Sequence, residues 1–170
     1  FGAALGNVVR GVPLNKDGWF FEPLWTTFTV VPEAGILDWF TVVMGLVGFF
    51  TLAAHGANFI ALKTEGELQK RARSIAAMAW WGVVLGSMAA FIATWSIRPQ
   101  VWQNYANHPW GFVFPILGAV GLGGMILYNK RGNDKFAFLS SSIFIGGMLA
   151  STAFGLYPNV LPASTNPDYS

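Results

Sequence analysis

The sequence predicts an all-α fold: a polytopic membrane helical bundle with about four transmembrane helices, preceded by the end of a truncated one. Three observations carry this. First, 54% of the 170 residues are hydrophobic and 11% are charged, against about 25% charged in an average soluble domain. Second, the charges fall in clusters: Trp39 to Leu62 and Ser74 to Ile97 contain no Asp, Glu, Lys or Arg, whereas Lys63 to Arg73 contains four basic and two acidic residues. Third, two uncharged runs of about 24 residues around a polar turn have the length of a helical hairpin that crosses a bilayer twice.

The elements follow in order. Phe1-Gly-Ala-Ala-Leu-Gly reads as the last turns of an apolar helix cut from its beginning, so the chain is expected to be a fragment of a longer membrane protein. It lacks the charged n-region of a signal peptide. Residues 7–38 form a polar, aromatic connection, broken from the helix by Gly11 and Pro13. Trp19, Phe20, Phe21, Trp25 and Phe28 beside Lys16, Asp17 and Glu22 suit the headgroup layer. A short β-hairpin around Thr26 to Val31 is the local expectation. The spans are expected at about 36–62, 74–97, 110–129 and 136–157, forming a single membrane domain over 1–170. A polar link at 98–108 and a tail holding Pro158, Pro162 and Pro167 complete the chain.

Two spans separate the turns 63–73 and 130–135, so both lie on one side. They hold seven basic residues, and the opposite side holds Arg10, Lys16 and Arg98. The positive-inside rule then makes both turns cytoplasmic. The net charge of +2 and the lack of a basic stripe argue against a nucleic-acid partner, and the absence of cysteine removes thiolate metal sites.

His55 is the sharpest candidate for chemistry, an ionisable residue about two turns inside an uncharged span. It is compatible with haem ligation, proton relay or a quinone headgroup. The alternative is a hydrogen bond to a neighbouring helix, with Asn58 on the same surface. A bis-histidine haem site needs a second in-span histidine, and the other histidine, His108, sits in the outer link. Asp38 reads as a helix-start anion, with the mouth of a proton path as its alternative. Arg10 and Arg98 read as interfacial snorkelling residues, with pinning an outer loop to a partner as the alternative. Glu65 and Glu67 beside Lys63, Lys70, Arg71 and Arg73 read as a solvated face with local ion pairs. The alternative is a lip for lipid phosphates or a subunit-docking surface. Gly118, Gly121, Gly123 and Gly124, with Ser140, Ser141 and Ser142, read as packing faces, with a pore lining as the alternative. No catalytic residue and no metal-ligand set emerges.

Four stretches carry a resemblance: Phe1 to Pro13, ending Arg10-Gly-Val-Pro13; Leu37 to Leu46; His55-Gly-Ala to Arg73, anchored on Gly56, Ala57, Thr64, Gly66, Glu67 and Leu68; and Lys135 to Ser142 followed by Phe154 to Thr165. In order and spacing they resemble subunit II of cytochrome bd-type quinol oxidases, the cyanide-insensitive relatives included. The resemblance covers the middle and later part of that subunit. It implies a bacterial inner-membrane complex that oxidises quinol and reduces dioxygen to water. It also implies a haem-bearing subunit I with two b-type haems and one d-type haem. Subunit II is then the non-catalytic structural partner and holds no haem of its own. Bound quinone or lipid and a small accessory subunit fit the same pattern. The family's proton-path acid lies in early helices outside this stretch, and the family often has His or Gln at the position of His55. The competing class is a transporter or channel bundle, which would call for discontinuous helices and paired in-span charges.

Overall fold

A computed structural model describes residues 1–30, 34–166 and 168. Among these the regular elements are helical: α1 (Gly2–Arg10), α2 (Trp39–Lys63), α3 (Gly66–Ile97), α4 (Pro99–Asn107), a 3-10 turn (Pro109–Phe112), α5 (Val113–Lys130) and α6 (Asp134–Leu156). Four stretches are long and apolar enough to cross a membrane: Trp39–Lys63, Gly66–Ile97, Pro109–Lys130 and Asp134–Leu156, with mean hydropathy of 1.5 to 1.9. Their outward faces are apolar, for example Leu46, Leu52, Leu85 and Ile92, as lipid requires.

Helix α3 begins at Gly66, well before the uncharged run that starts at Ser74. Its first turns are Glu, Leu, Gln, Lys, Arg and Ala, all strong helix formers, so charge marks where the apolar core starts and not where the helix starts. No strand forms over residues 26–30, which corrects the hairpin expectation; Val31 lies outside the described residues. Phe28 has φ 63° and Trp25 stacks on it at 5.2 Å. That is a local turn, with no partner strand to satisfy the extended backbone. The link contains a helix, α4, that the polar composition hid.

The chain divides into two compact units. The first comprises Phe1–Gly48, Gly86–His108 and Thr152–Ser170. Its core buries Val9, Phe40 and Ala93, with Met44, Ile97 and Leu156 packed around them. Glycines bring α1 close to α2: a Cβ on Gly48 would lie 3.0 Å from the Gly2 Cα, and one on Gly6 3.0 Å from the Thr41 Cα. Such small-residue crossings supply the dispersion contact that replaces a hydrophobic driving force in lipid. The tail returns to the α1 exit, where Val12 N–H donates to Pro162 O at 3.0 Å and Ser164 N–H to Val12 O at 2.8 Å. From α4, the Asn104 side-chain amide donates to Phe154 O and Tyr157 O, both at 2.7 Å, and so satisfies carbonyls at the end of α6.

The second unit comprises Phe49–Leu85 and Pro109–Ser151. Here segments of α2, α3, α5 and α6 bury Ala54, Ala79, Val83, Met125 and Phe144. The serine and glycine faces are in contact. A Cβ on Gly121 would lie 2.5 Å from Phe144 N and 2.7 Å from Ser140 O, and one on Gly147 would lie 2.6 Å from Gly118 N. Trp80 Nε1 donates to Leu122 O at 2.8 Å.

Candidate functional site

The most elaborate polar arrangement surrounds Arg10. Asn7 and Arg10 lie one turn apart at the end of α1. Asn7 donates to Ala3 O and Ile36 O, both at 2.9 Å. Arg10 donates through Nε to Gly11 O at 3.3 Å, through Nη1 to Gly35 O at 2.8 Å and to the Asp38 carboxylate, and through Nη2 to Asn7 Oδ1 at 2.8 Å and to Glu22. A guanidinium has five N–H donors, and each has an acceptor here. Arg10 is 4% exposed and Asp38 0%. Arg10 is therefore not a snorkelling residue: it holds the loop after α1 onto the helix it follows, because a desolvated guanidinium needs acceptors on every side.

Asp38 also starts α2. Its Oδ1 accepts the Thr41 N–H at 2.9 Å, and Thr41 Oγ1 accepts the Asp38 N–H at 2.9 Å. This is a reciprocal capping box with threonine in the usual glutamate position. One carboxylate thus closes the helix N-terminus and neutralises Arg10.

The cluster holds one guanidinium and two carboxylates. Burial pushes the Glu22 carboxyl above its ordinary range; the Arg10 charge draws it back and the Asp38 charge raises it again. The folded chain therefore keeps a proton at Glu22 over a pH interval above 4.5 in which the unfolded chain has released it. Stability from this group is full below that interval and is lost as pH rises through the folded value. Glu22→Gln should flatten that limb, whose steepest slope for one proton is about 1.4 kcal/mol per pH unit. Thermal unfolding of the full-length protein in detergent at about pH 5 and about pH 8 checks this; an unchanged pH dependence in the variant would place the titration elsewhere.

His55 lies on α2 in the second unit. Its Nδ1 is 2.8 Å from Ser141 Oγ on α6, and its ring stacks on Phe138 at 4.8 Å. Ser141 Oγ donates to Phe138 O at 2.7 Å, so the shared proton belongs to His55 Nδ1, which makes it the donor. Asn58 is buried less than one turn further along α2. Among the described residues, no group of three or more His, Cys, Asp or Glu side chains comes together.

The charged turn behaves differently from its composition. Lys63, Glu65, Glu67, Lys70 and Arg71 are exposed. Among the described residues its ion pair is Arg73 with Asp134, at 2.6 Å. Gln69 also donates to Asp134, at 2.9 Å, and Arg73 Nη2 to Gly132 O at 3.1 Å. Asp134 lies in the second basic turn and opens α6, so one carboxylate joins both turns. Sequence reading missed this because the partners are 61 residues apart. Arg98, between α3 and α4, donates through Nε to Val9 O at 3.3 Å.

A family model described as cytochrome bd terminal oxidase subunit II matches residues 1–168. A probable cytochrome oxidase subunit 2 from Haemophilus influenzae is 27% identical over 195 residues, covering 100% of this chain and 50% of that protein. The cytochrome bd-I ubiquinol oxidase subunit 2 of Escherichia coli K12 is 27% identical over 198 residues, covering 96% of this chain and 49% of that protein. The chain thus spans about half the length of the curated relatives it matches.

Proposed function

The chain belongs to the cytochrome bd terminal oxidase subunit II family, and from that premise we propose that it serves as the non-catalytic, structural partner subunit of an oxidase that oxidises quinol and reduces dioxygen to water. The supporting observation is how its polar groups are used. Arg10 has all five donors occupied by backbone and side-chain acceptors of its own unit. Arg73 ties one polar turn to the other. The in-span histidine spends Nδ1 on a neighbouring serine. These arrangements fix helix ends and helix pairs.

The two b-type haems and one d-type haem, and with them the redox chemistry, belong in this reading to a partner subunit I. A single in-span histidine, with no cluster of ligating side chains among the described residues, does not fit a bis-histidine haem, so no redox step is assigned to this chain. Its role is to present an apolar surface to lipid and to the partner. In this reading it sits in the bacterial inner membrane, and the charge asymmetry of its turns supports an orientation with 63–73 and 130–135 toward the cytoplasm.

The test is purification of the tagged full-length parent protein from its native membranes, followed by a reduced-minus-oxidised visible spectrum. A larger co-purifying membrane subunit with b- and d-type haem bands is the expected result. A protein that comes down alone and colourless would overturn the reading in favour of a transporter or channel. Within the complex, His55→Ala is expected to leave haem bands and turnover unchanged and to lower stability by about 1 kcal/mol, the usual worth of one hydrogen bond. A shifted haem band would make His55 part of a cofactor site.

A further inference from the structure

The turn at residues 15–21 is exposed throughout, and the residue that follows it, Glu22, is buried, with its side chain 4% exposed. The turn closes on itself. Asn15 N–H donates to Trp19 O at 2.9 Å, and Asn15 Oδ1 accepts the Asp17 and Trp19 N–H groups at 3.0 and 2.8 Å. Gly18, at φ 75°, supplies the reversal. Among the described residues, the side-chain tie from 15–22 to the rest of the chain is the pairing of Glu22 with Arg10. An exposed flap is thus seated by one acid pushed in behind it.

That acid brings one charge too many. Arg10 supplies a single positive charge, and Asp38 already balances it. Asp38 Oδ2 accepts from Arg10 and Oδ1 from the Thr41 N–H. Both oxygens are engaged as acceptors at a helix N-terminus, which favours the ionised form. The Arg10 and Asp38 side chains are 3% and 0% exposed, so a second carboxylate beside them is an uncompensated buried charge. Glu22 has two ways out: it can take up a proton, or it can move to water. It borders a cavity of about 540 Å³, and burial is the first cause that raises its carboxyl above the ordinary range. The other charged side chain on that wall is Arg98, at the end of α3. It bonds Val9 O through Nε and packs against Gly11. The tail contributes Ser164 and Thr165 to the wall, neither of which titrates in this range. Lys16 and Asp17, on the flap itself, are exposed.

We propose that Glu22 is a proton-operated plug: protonated, it accepts from Arg10 and keeps the flap 15–21 seated; deprotonated, it swings into the cavity water and frees the flap. One proton passes between Glu22 and water, and the pairing of Arg10 with Asp38 stays in place. The release stops at the flap, because Pro23 O and Leu24 O are held by the Ile36 and Leu37 N–H groups at 2.9 and 3.0 Å. The device is independent of the oxidase reading, since it needs only these three side chains.

The 170 residues contain no cysteine, so a nitroxide on Lys16→Cys reports on the flap. The test uses the full-length protein with its co-purifying subunits, any cysteine elsewhere replaced by serine. Electron paramagnetic resonance line shapes are compared at about pH 5 and about pH 8. The ratio of mobile to immobile label is expected to rise by up to about tenfold per pH unit above the folded Glu22 value, the limit for one linked proton. Glu22→Gln, neutral at every pH, is expected to stay immobile at both. Asp38→Asn leaves Arg10 to Glu22 alone and is expected to stay immobile at both as well. A label insensitive to pH without these substitutions overturns the proposal. So does a pH response that survives Glu22→Gln, or a label that is mobile at both pH values in that variant. A response that survives Asp38→Asn overturns the charge count and the plug with it. Should Asp38→Asn fail to fold, the Glu22→Gln comparison decides.

Discussion

Replacing Arg10 with glutamine is expected to cost the full-length protein about 3–5 kcal/mol, the usual cost of removing one partner from a buried ion pair. The charge itself is the reason. Asp38 is fully buried and Glu22 nearly so, and without the guanidinium two carboxylates face each other in a desolvated pocket. The neutral triple variant Arg10→Gln, Asp38→Asn, Glu22→Gln should recover most of the loss. The Asp38→Asn side chain would keep an oxygen for the Thr41 N–H, so the capping box survives while the charges disappear. Chemical denaturation or thermal unfolding in detergent measures all of these. A triple variant as unstable as the single one would mean that Arg10 matters through its hydrogen-bond geometry and not through charge compensation.

Gly121→Ala is the second large effect, a loss of about 1–3 kcal/mol from overpacking. The added methyl would meet backbone: Phe144 N at 2.5 Å and Ser140 O at 2.7 Å. Backbone cannot turn aside as a flexible side chain can, so α5 and α6 must separate along the seam where Gly147 also meets Gly118. Gly123→Ala, two residues along the same helix, is the control. Nothing lies within 4 Å of its added methyl, and replacing glycine by alanine inside a helix gains about 0.5–1 kcal/mol in water. Opposite signs for the two variants, by thermal unfolding, are the expected outcome. Equal losses would mean that the seam is not as close as described.

The long helices were legible because a bilayer imposes one crude requirement, some twenty residues without charge, and the sequence meets it repeatedly. What composition could not deliver was the helix that needs no such run. In α4, Val101, Trp102 and Tyr105 stand at the spacing of one helical face behind a Pro99 that starts a helix well, but their polar neighbours mask it. The uncharged run from Ser74 did not mark the start of α3 at Gly66 for the complementary reason, since charged helix formers extend a helix beyond its apolar stretch. The Arg10 cluster was not legible at all. Its acids lie 12 and 28 residues away, and nothing in local pattern tells a snorkelling arginine from one with five buried acceptors. His55 stood out because a lone ionisable residue in an apolar run is conspicuous, whereas its partner Ser141 was one of three adjacent serines.

The two bonds from Asn104 to the last carbonyls of α6 have a bearing on how the chain tolerates change. A connection between two membrane helices is normally where insertions are accepted. Here the connection is itself a fastening, because its side chain stands in for the next turn of a helix that would otherwise fray. Lengthening the segment ahead of Asn104 would turn or displace that amide and release Phe154 O and Tyr157 O together. The permissive site for a tag or reporter is therefore the exposed run Glu65 to Leu68, while 99–107, for all its polar and watery appearance, is one of the places where the chain can least be lengthened.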